Sequence, residues 1–155
     1  MREVLFRGKE VADGKWIEGF YSAEEYNPYI GKIEYIPRIQ IIGKCVSLGV
    51  IPETVGQYTG LTDKNGVRIF EGDIVRATIE RAERCQSPRI ENGVIGYDCI
   101  GMIGLILYKD KNGENVWSDF FNELSLSGLI EDYYFEIIGN IHDNPDILKG
   151  GGGNG

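Results

Sequence analysis

PETVGQYTGLTDKNGVRIFEGDIV, residues 52–75, carries glycines at positions 56, 60, 66 and 72. Each glycine weakens a helix interior by roughly 0.5–1 kcal/mol. Four at this spacing argue for a chain that reverses often. The sharpest reversal is Asp63-Lys64-Asn65-Gly66. Asn-Gly predicts a type I′ turn, which needs φ > 0 at two successive positions and matches the twist of paired strands. Val67, Ile69, Val75, Ala77 and Ile79 then alternate as strand residues do. Gly72-Asp73 interrupts that alternation, as a bulge or a strand start would.

Toward the C-terminus, residues 74–80, 94–97 and 103–109 read as strands. The polar stretch 81–92 contains Pro88 and reads as a long loop. A second Asp-Lys-Asn-Gly at 110–113 predicts another hairpin, into a strand over 114–117. Residues 118–124 suit one helical turn with Ser118 as its cap. Residues 133–141 form the last strand, and Asn144-Pro145-Asp146 predicts a short helix to Leu148. About five strands in some seventy residues match a small barrel, an arrangement that removes sheet edges.

Toward the N-terminus the pattern is looser. Residues 4–7 read as a strand, Asp13-Gly14 as a turn, and 15–21 as a strand with apolar groups on both faces. The polar run 22–28 breaks the pattern. Residues 29–42 offer two short extended segments, and Pro37, lacking a donor, favours an edge. Residues 46–51 are apolar and stop at Pro52.

The 155-residue chain is 42% hydrophobic, enough for a packed core. Its 22 glycines show no Gly-X-Y period, which excludes collagen. The net charge of −8 is unevenly spread. Residues 110–146 hold nine carboxylates against one lysine, whereas residues 1–109 carry 14 basic and 15 acidic side chains. Such an acidic stretch is a solvated face or a face for a basic partner. Cys45, Cys85 and Cys99 are odd in number and form no C-x-x-C, which argues against a disulfide framework and for a reducing cytoplasm. No apolar run suits a signal peptide or a membrane span.

Candidate chemical sites are sparse. His142 is the one histidine, so a two-histidine metal site is ruled out. Glu71 and Asp73 would share a face of an extended chain and could act as an acid/base pair. The plainer reading has Asp73 capping a turn and Glu71 in solvent. Asp63-Lys64-Asn65-Gly66 begins like a calcium loop, but Val67 stands where the next ligand belongs. The glycine-rich stretch lacks the Gly-Lys-Ser/Thr ending of a phosphate loop. Cys45 reads as a buried small hydrophobe. Arg76, Arg81, Arg84 and Arg89 suggest nucleic acid, yet residues 80–91 balance three arginines with three glutamates. Phe120, Phe121, Tyr133, Tyr134 and Phe135 cannot all enter one barrel core, because strand neighbours face opposite ways. Their excess suggests association.

The 52–75 stretch resembles the hallmark of the YopX family, small proteins encoded by bacteriophages and prophages. LFRGK at 5–9 and IIGNIHDNP at 137–145 resemble its two ends. The resemblance places family-motif positions at Pro52, Gly56, Gly60, Asp63, Gly66, Gly72, Asp73, Gly139, Asn140 and Pro145. It implies a phage setting and a β-rich fold with an SH3-like portion, and it brings no catalytic residues. The expectation is therefore an all-β chain in three parts. An N-terminal strand-and-turn region over 1–66 packs on an SH3-like barrel over 67–148 that ends in the short helix, and a glycine-rich tail follows over 149–155. The expected function is non-enzymatic, without metal or cofactor, through self-association or binding of a host or phage protein. The alternatives are a single-stranded nucleic-acid-binding barrel and an acidic nucleic-acid mimic that binds a basic host protein.

Overall fold

Among the described residues six glycines adopt positive φ, and Gly14, Gly43, Gly66, Gly72 and Gly113 among them sit at chain reversals. The structure, a computed structural model, describes residues 4–29, 32–81, 87–97, 102–109, 112–118 and 130–147. These form eleven strands and one 3-10 turn, in two antiparallel sheets. The chain divides into two compact units, Met1–Gly60 and Leu61–Gly155. The division falls inside a strand, upstream of the 66/67 change expected from sequence.

The first unit contains β1 (Phe6–Lys9), β2 (Trp16–Tyr29), β3 (Lys32–Ile41), β4 (Ser47–Gly49), the 3-10 turn Pro52–Thr54 and the start of β5 (Gly56–Thr62). The strand order is β4-β3-β2-β1-β5. Leu5, Ile39 and Val50 are fully buried, each contributing roughly 1.5–3 kcal/mol by leaving water. Close strand crossing demands Gly19, where an added Cβ would lie 1.9 Å from the Gln40 carbonyl oxygen. Residues 22–28 do not break the pattern: β2 runs through them to Tyr29, paired with β3. Pairing with β3 overrides their weak strand propensity.

Beyond Gly60, β5 continues into a hairpin with β6 (Arg68–Phe70). Then follow β7 (Asp73–Arg81), β8 (Arg89–Tyr97), β9 (Ile103–Lys109), β10 (Asn115–Trp117) and β11 (Ile130–Asn140), in the order β10-β9-β8-β7-β11. Val75, Ala77, Ile95, Leu105 and Phe135 meet Ile69 in a buried cluster, flanked by Leu61, Ile103, Leu107 and Ile137. The loop expected over 81–92 is shorter at both ends, because Arg81 ends β7 and residues 89–92 belong to β8; residues 87–88 are not strand, and 82–86 lie outside the described residues. There Arg89 and Glu91 satisfy each other as an ion pair, N···O 2.5 Å.

The sheet is not closed. β7 pairs with both β8 and β11, so the first and last of the five strands are neighbours. Among the described residues no ladder joins β10 to β11. A closed barrel is thus corrected to an open five-stranded sheet; the short β10 offers three residues to any such ladder. The helix expected after Asn144 is also corrected. Residues 145–147 form a turn, in which the Ile147 amide bonds the Asn144 carbonyl at 3.2 Å. Leu148, residues 119–124 of the helical turn read over 118–124, the glycine-rich tail, Phe120, Phe121, Cys85, Cys99 and Arg84 lie outside the described residues.

On the other face of this sheet, Gly96 and Gly104 are direct cross-strand partners. A Cβ on Gly104 would lie 2.4 Å from Trp117 Cε3, so the indole rests on bare backbone. Gly104→Ala should cost about 2 kcal/mol through overpacking and red-shift Trp117 emission in a Trp16→Phe background. A parent-like melt and spectrum would show that the ring does not need this space.

Candidate functional site

The family-motif positions fall into three places. The first is the 3-10 turn that opens at Pro52. Thr54 Oγ1 accepts from the Lys9 amide at 2.9 Å and donates to the Ile51 carbonyl at 2.7 Å. Gly56 follows, buried and paired with Arg7. Gly60 is exposed at φ 86°, at the division between the units.

The second is the hairpin turn 63–66. Asn65 keeps a negative φ and Gly66 alone is left-handed, at 80°. The expected type I′ turn is therefore a type I turn followed by a left-handed glycine. The Gly66 amide bonds the Asp63 carbonyl at 2.9 Å, and the Asp63 amide bonds the Val67 carbonyl at 2.8 Å. The Asp63 side chain selects this form: its Oδ1 accepts from the amides of Asn65 and Val67, at 2.8 and 2.9 Å. The turn also meets the outer edge of β11. Lys64 donates its amide to the Phe135 carbonyl at 2.8 Å.

Burial acts to raise the Asp63 pKa, but the Val67, Asn65 and Ile137 amides and the Asn65 side chain outweigh it and hold the carboxyl below its ordinary 3.8. A depressed carboxylate stabilises the fold fully above its unfolded value, about pH 4. That contribution is lost as pH falls through the folded value. Asp63→Ala should therefore be less stable than the parent at pH 7, with the difference shrinking below pH 4. Urea melts across pH test this, and a pH-independent difference would refute it.

The third is a buried polar knot. Gly72, at φ 85°, donates to the Ile95 carbonyl at 2.9 Å and accepts from the Ile141 amide at 3.0 Å. Asp73 is 1% exposed. Its Oδ2 accepts from the Phe70 amide at 2.8 Å, and its Oδ1 accepts from Asn140 Nδ2 at 3.3 Å. Asp73 and Asn140 are direct partners in the β7–β11 ladder. Asn140 Oδ1 in turn accepts from the His142 amide at 2.9 Å, and Asn144 Oδ1 accepts from the Asn140 amide at 3.3 Å. Gly139 leaves room for this fold-back: a Cβ there would lie 2.7 Å from Ile147 Cδ1 and 2.9 Å from Asn144 Oδ1. Pro145 sits in the turn that covers it.

This arrangement ties chain reversals together. Glu71 is exposed in the turn, whereas Asp73 is turned inward onto backbone and amide donors. The extended-chain pairing of these carboxylates is therefore not formed. Among the described residues no group of three or more His, Cys, Asp or Glu side chains could hold a metal ion. No helix there is long and apolar enough to cross a membrane. Arg76 pairs with Glu136 at 3.4 Å. Cys45 is exposed on the β3–β4 turn, not buried, because that turn projects its side chains into solvent.

Among the described residues, exposed aromatic side chains lie in both units: Tyr133 is 45% exposed in the second, and the first carries three, Phe20, Tyr21 and Tyr35. β1 pairs with β2 only over residues 16–19, and β4 with β3 only over 38–40. Beyond those points β2 and β3 continue as a two-stranded arm. Tyr21 is 43% and Tyr35 64% exposed, on the same face by register. Tyr21 stacks against Phe6 with ring centres 5.3 Å apart. On the opposite face, Arg38 bonds Glu24 at 3.4 Å and Ser47 Oγ at 3.2 Å. Sequence reasoning missed this arm. Its signal was present in the alternation Ile17, Gly19, Tyr21, Ala23, which runs on into the polar stretch.

Among curated proteins, none matches the chain. Among solved structures, it is similar to the crystal structure of protein EF1440 from Enterococcus faecalis, at 24% identity over 96% of this chain and 99% of that one, with a TM-score of 0.38. The family model described as YopX protein matches residues 5–149. The hairpin turn and the buried knot both lie within that match, and the chain belongs to the YopX protein family.

Proposed function

We propose that this chain is a non-enzymatic accessory protein of a phage or prophage, working in the bacterial cytoplasm by binding protein, either a second copy or a host or phage protein. The observation that carries the reading is the arm with its exposed Tyr21 and Tyr35. Large exposed aromatics grouped on one face of a thin ribbon mark a contact surface. The strand order of the second unit supports the finer reading of an SH3-like barrel slit between β10 and β11. The motif residues support the non-enzymatic reading, since Asp63 and Asp73 spend their carboxylates on backbone amides and on Asn140. Native mass measurement and affinity capture from infected and uninfected host cells test the proposal. Monomer alone, with no protein retained, would end it. Salt-sensitive retention of single-stranded oligonucleotides would replace it with nucleic-acid binding.

A further inference from the structure

The β2–β3 arm needs a cover. A two-stranded ribbon is marginally stable in water by itself. Residues 22–29 and 32–37 extend about 25 Å, at 3.3 Å per residue, with no other strand paired to residues 22–29 among those described. The two faces differ. The Glu24–Arg38–Ser47 side carries matched charges and, at the root of the arm, a single exposed ring, Phe20 at 50%. The other side presents Tyr21, Ala23 and Tyr35 exposed, running outward from buried Ile39 and Pro37.

We propose that this apolar face is covered by the same face of a second copy, the two arms crossing about a twofold axis. The inference rests on the protein-binding reading above and names its partner. Charge favours a copy. Met1–Gly60 carries seven basic and eight acidic side chains, a net −1, whereas Leu61–Gly155 carries nine and sixteen, a net −7. Two such chains repel within a Debye length of about 8 Å where acidic surfaces meet. They approach without that penalty through the near-neutral unit. A basic partner would instead be drawn to the acidic unit. A twofold contact requires a self-complementary patch, and an apolar face with matched charges behind it is one.

The test uses the full chain. Native mass and light scattering should show a dimer, and Tyr21→Ser/Tyr35→Ser should weaken it about 100-fold or more with an unchanged circular dichroism spectrum. Glu24→Gln, on the opposite face, should leave the dimer intact. A benzophenone amino acid replacing Tyr35 should yield, on irradiation in host cells, an adduct at twice the chain mass. A monomeric parent with no self-adduct overturns the inference. If the adduct is then to another protein, the protein-binding reading survives without self-association. If no adduct forms at all, both fall.

Discussion

Asp73→Ala is expected to lower stability by about 3 kcal/mol, because it strands two buried donors at once. The Phe70 amide and Asn140 Nδ2 both point at the Asp73 carboxylate, in a site 1% exposed where water does not replace it. The lost side chain also leaves a void at the β7–β11 ladder. Loss of volume alone would give a smaller effect, so a sharper pair of variants separates the causes. Asp73→Asn keeps the volume and the Phe70 bond but sets an amide NH2 against Asn140 Nδ2. Adding Asn140→Asp restores a donor–acceptor pair, and the new carboxylate still accepts from the His142 amide. Chemical denaturation should show Asp73→Asn destabilised by roughly 1–3 kcal/mol and the double variant substantially rescued. Additive losses in the double variant would show that the two side chains do not act on each other.

Gly19→Ala should be comparably damaging in the first unit, at about 3 kcal/mol, the upper end for overpacking. The added methyl would meet a backbone carbonyl, that of Gln40, and Ile39 Cγ2 at 3.0 Å behind it. A flexible side chain could swing away, but a carbonyl inside a ladder moves only with its strand. The β2–β3 pairing should therefore open at the root of the arm. Thermal melts read the loss of stability, and native mass reads the loss of the arm contact. A parent-like melt for Gly19→Ala would mean that β2 and β3 are spaced more widely than this register places them.

Much of the fold was legible because the turns carry their own chemistry. Gly66, Gly72 and Gly113 were readable as reversals, and each takes a positive φ. Asp63 was legible as a turn residue, but its docking on β11 was not, since it joins positions more than seventy residues apart. The run 22–28 misled for the same reason. Its strand character comes from β3 across the ladder, which local propensity does not register. Glu71 and Asp73 looked like a pair because an extended chain was assumed, and the left-handed Gly72 between them removes that premise. Whether the sheet closes depends on a pairing between β10 and β11, and three residues of β10 carry too weak a pattern to decide it.

The docking of the 63–66 turn has a consequence for how copies of this chain behave in acid. β11 is eleven residues long and lies at the border of its sheet, where unpaired amides and carbonyls invite a strand from another molecule. By occupying the Phe135 carbonyl, the turn takes part of that template away from newcomers. Protonating Asp63 weakens its hold on the Asn65 and Val67 amides, and with it the turn that carries Lys64. In acid, added strands from other copies are therefore expected to compete for this border, which fibre-specific dye binding measured across pH would reveal.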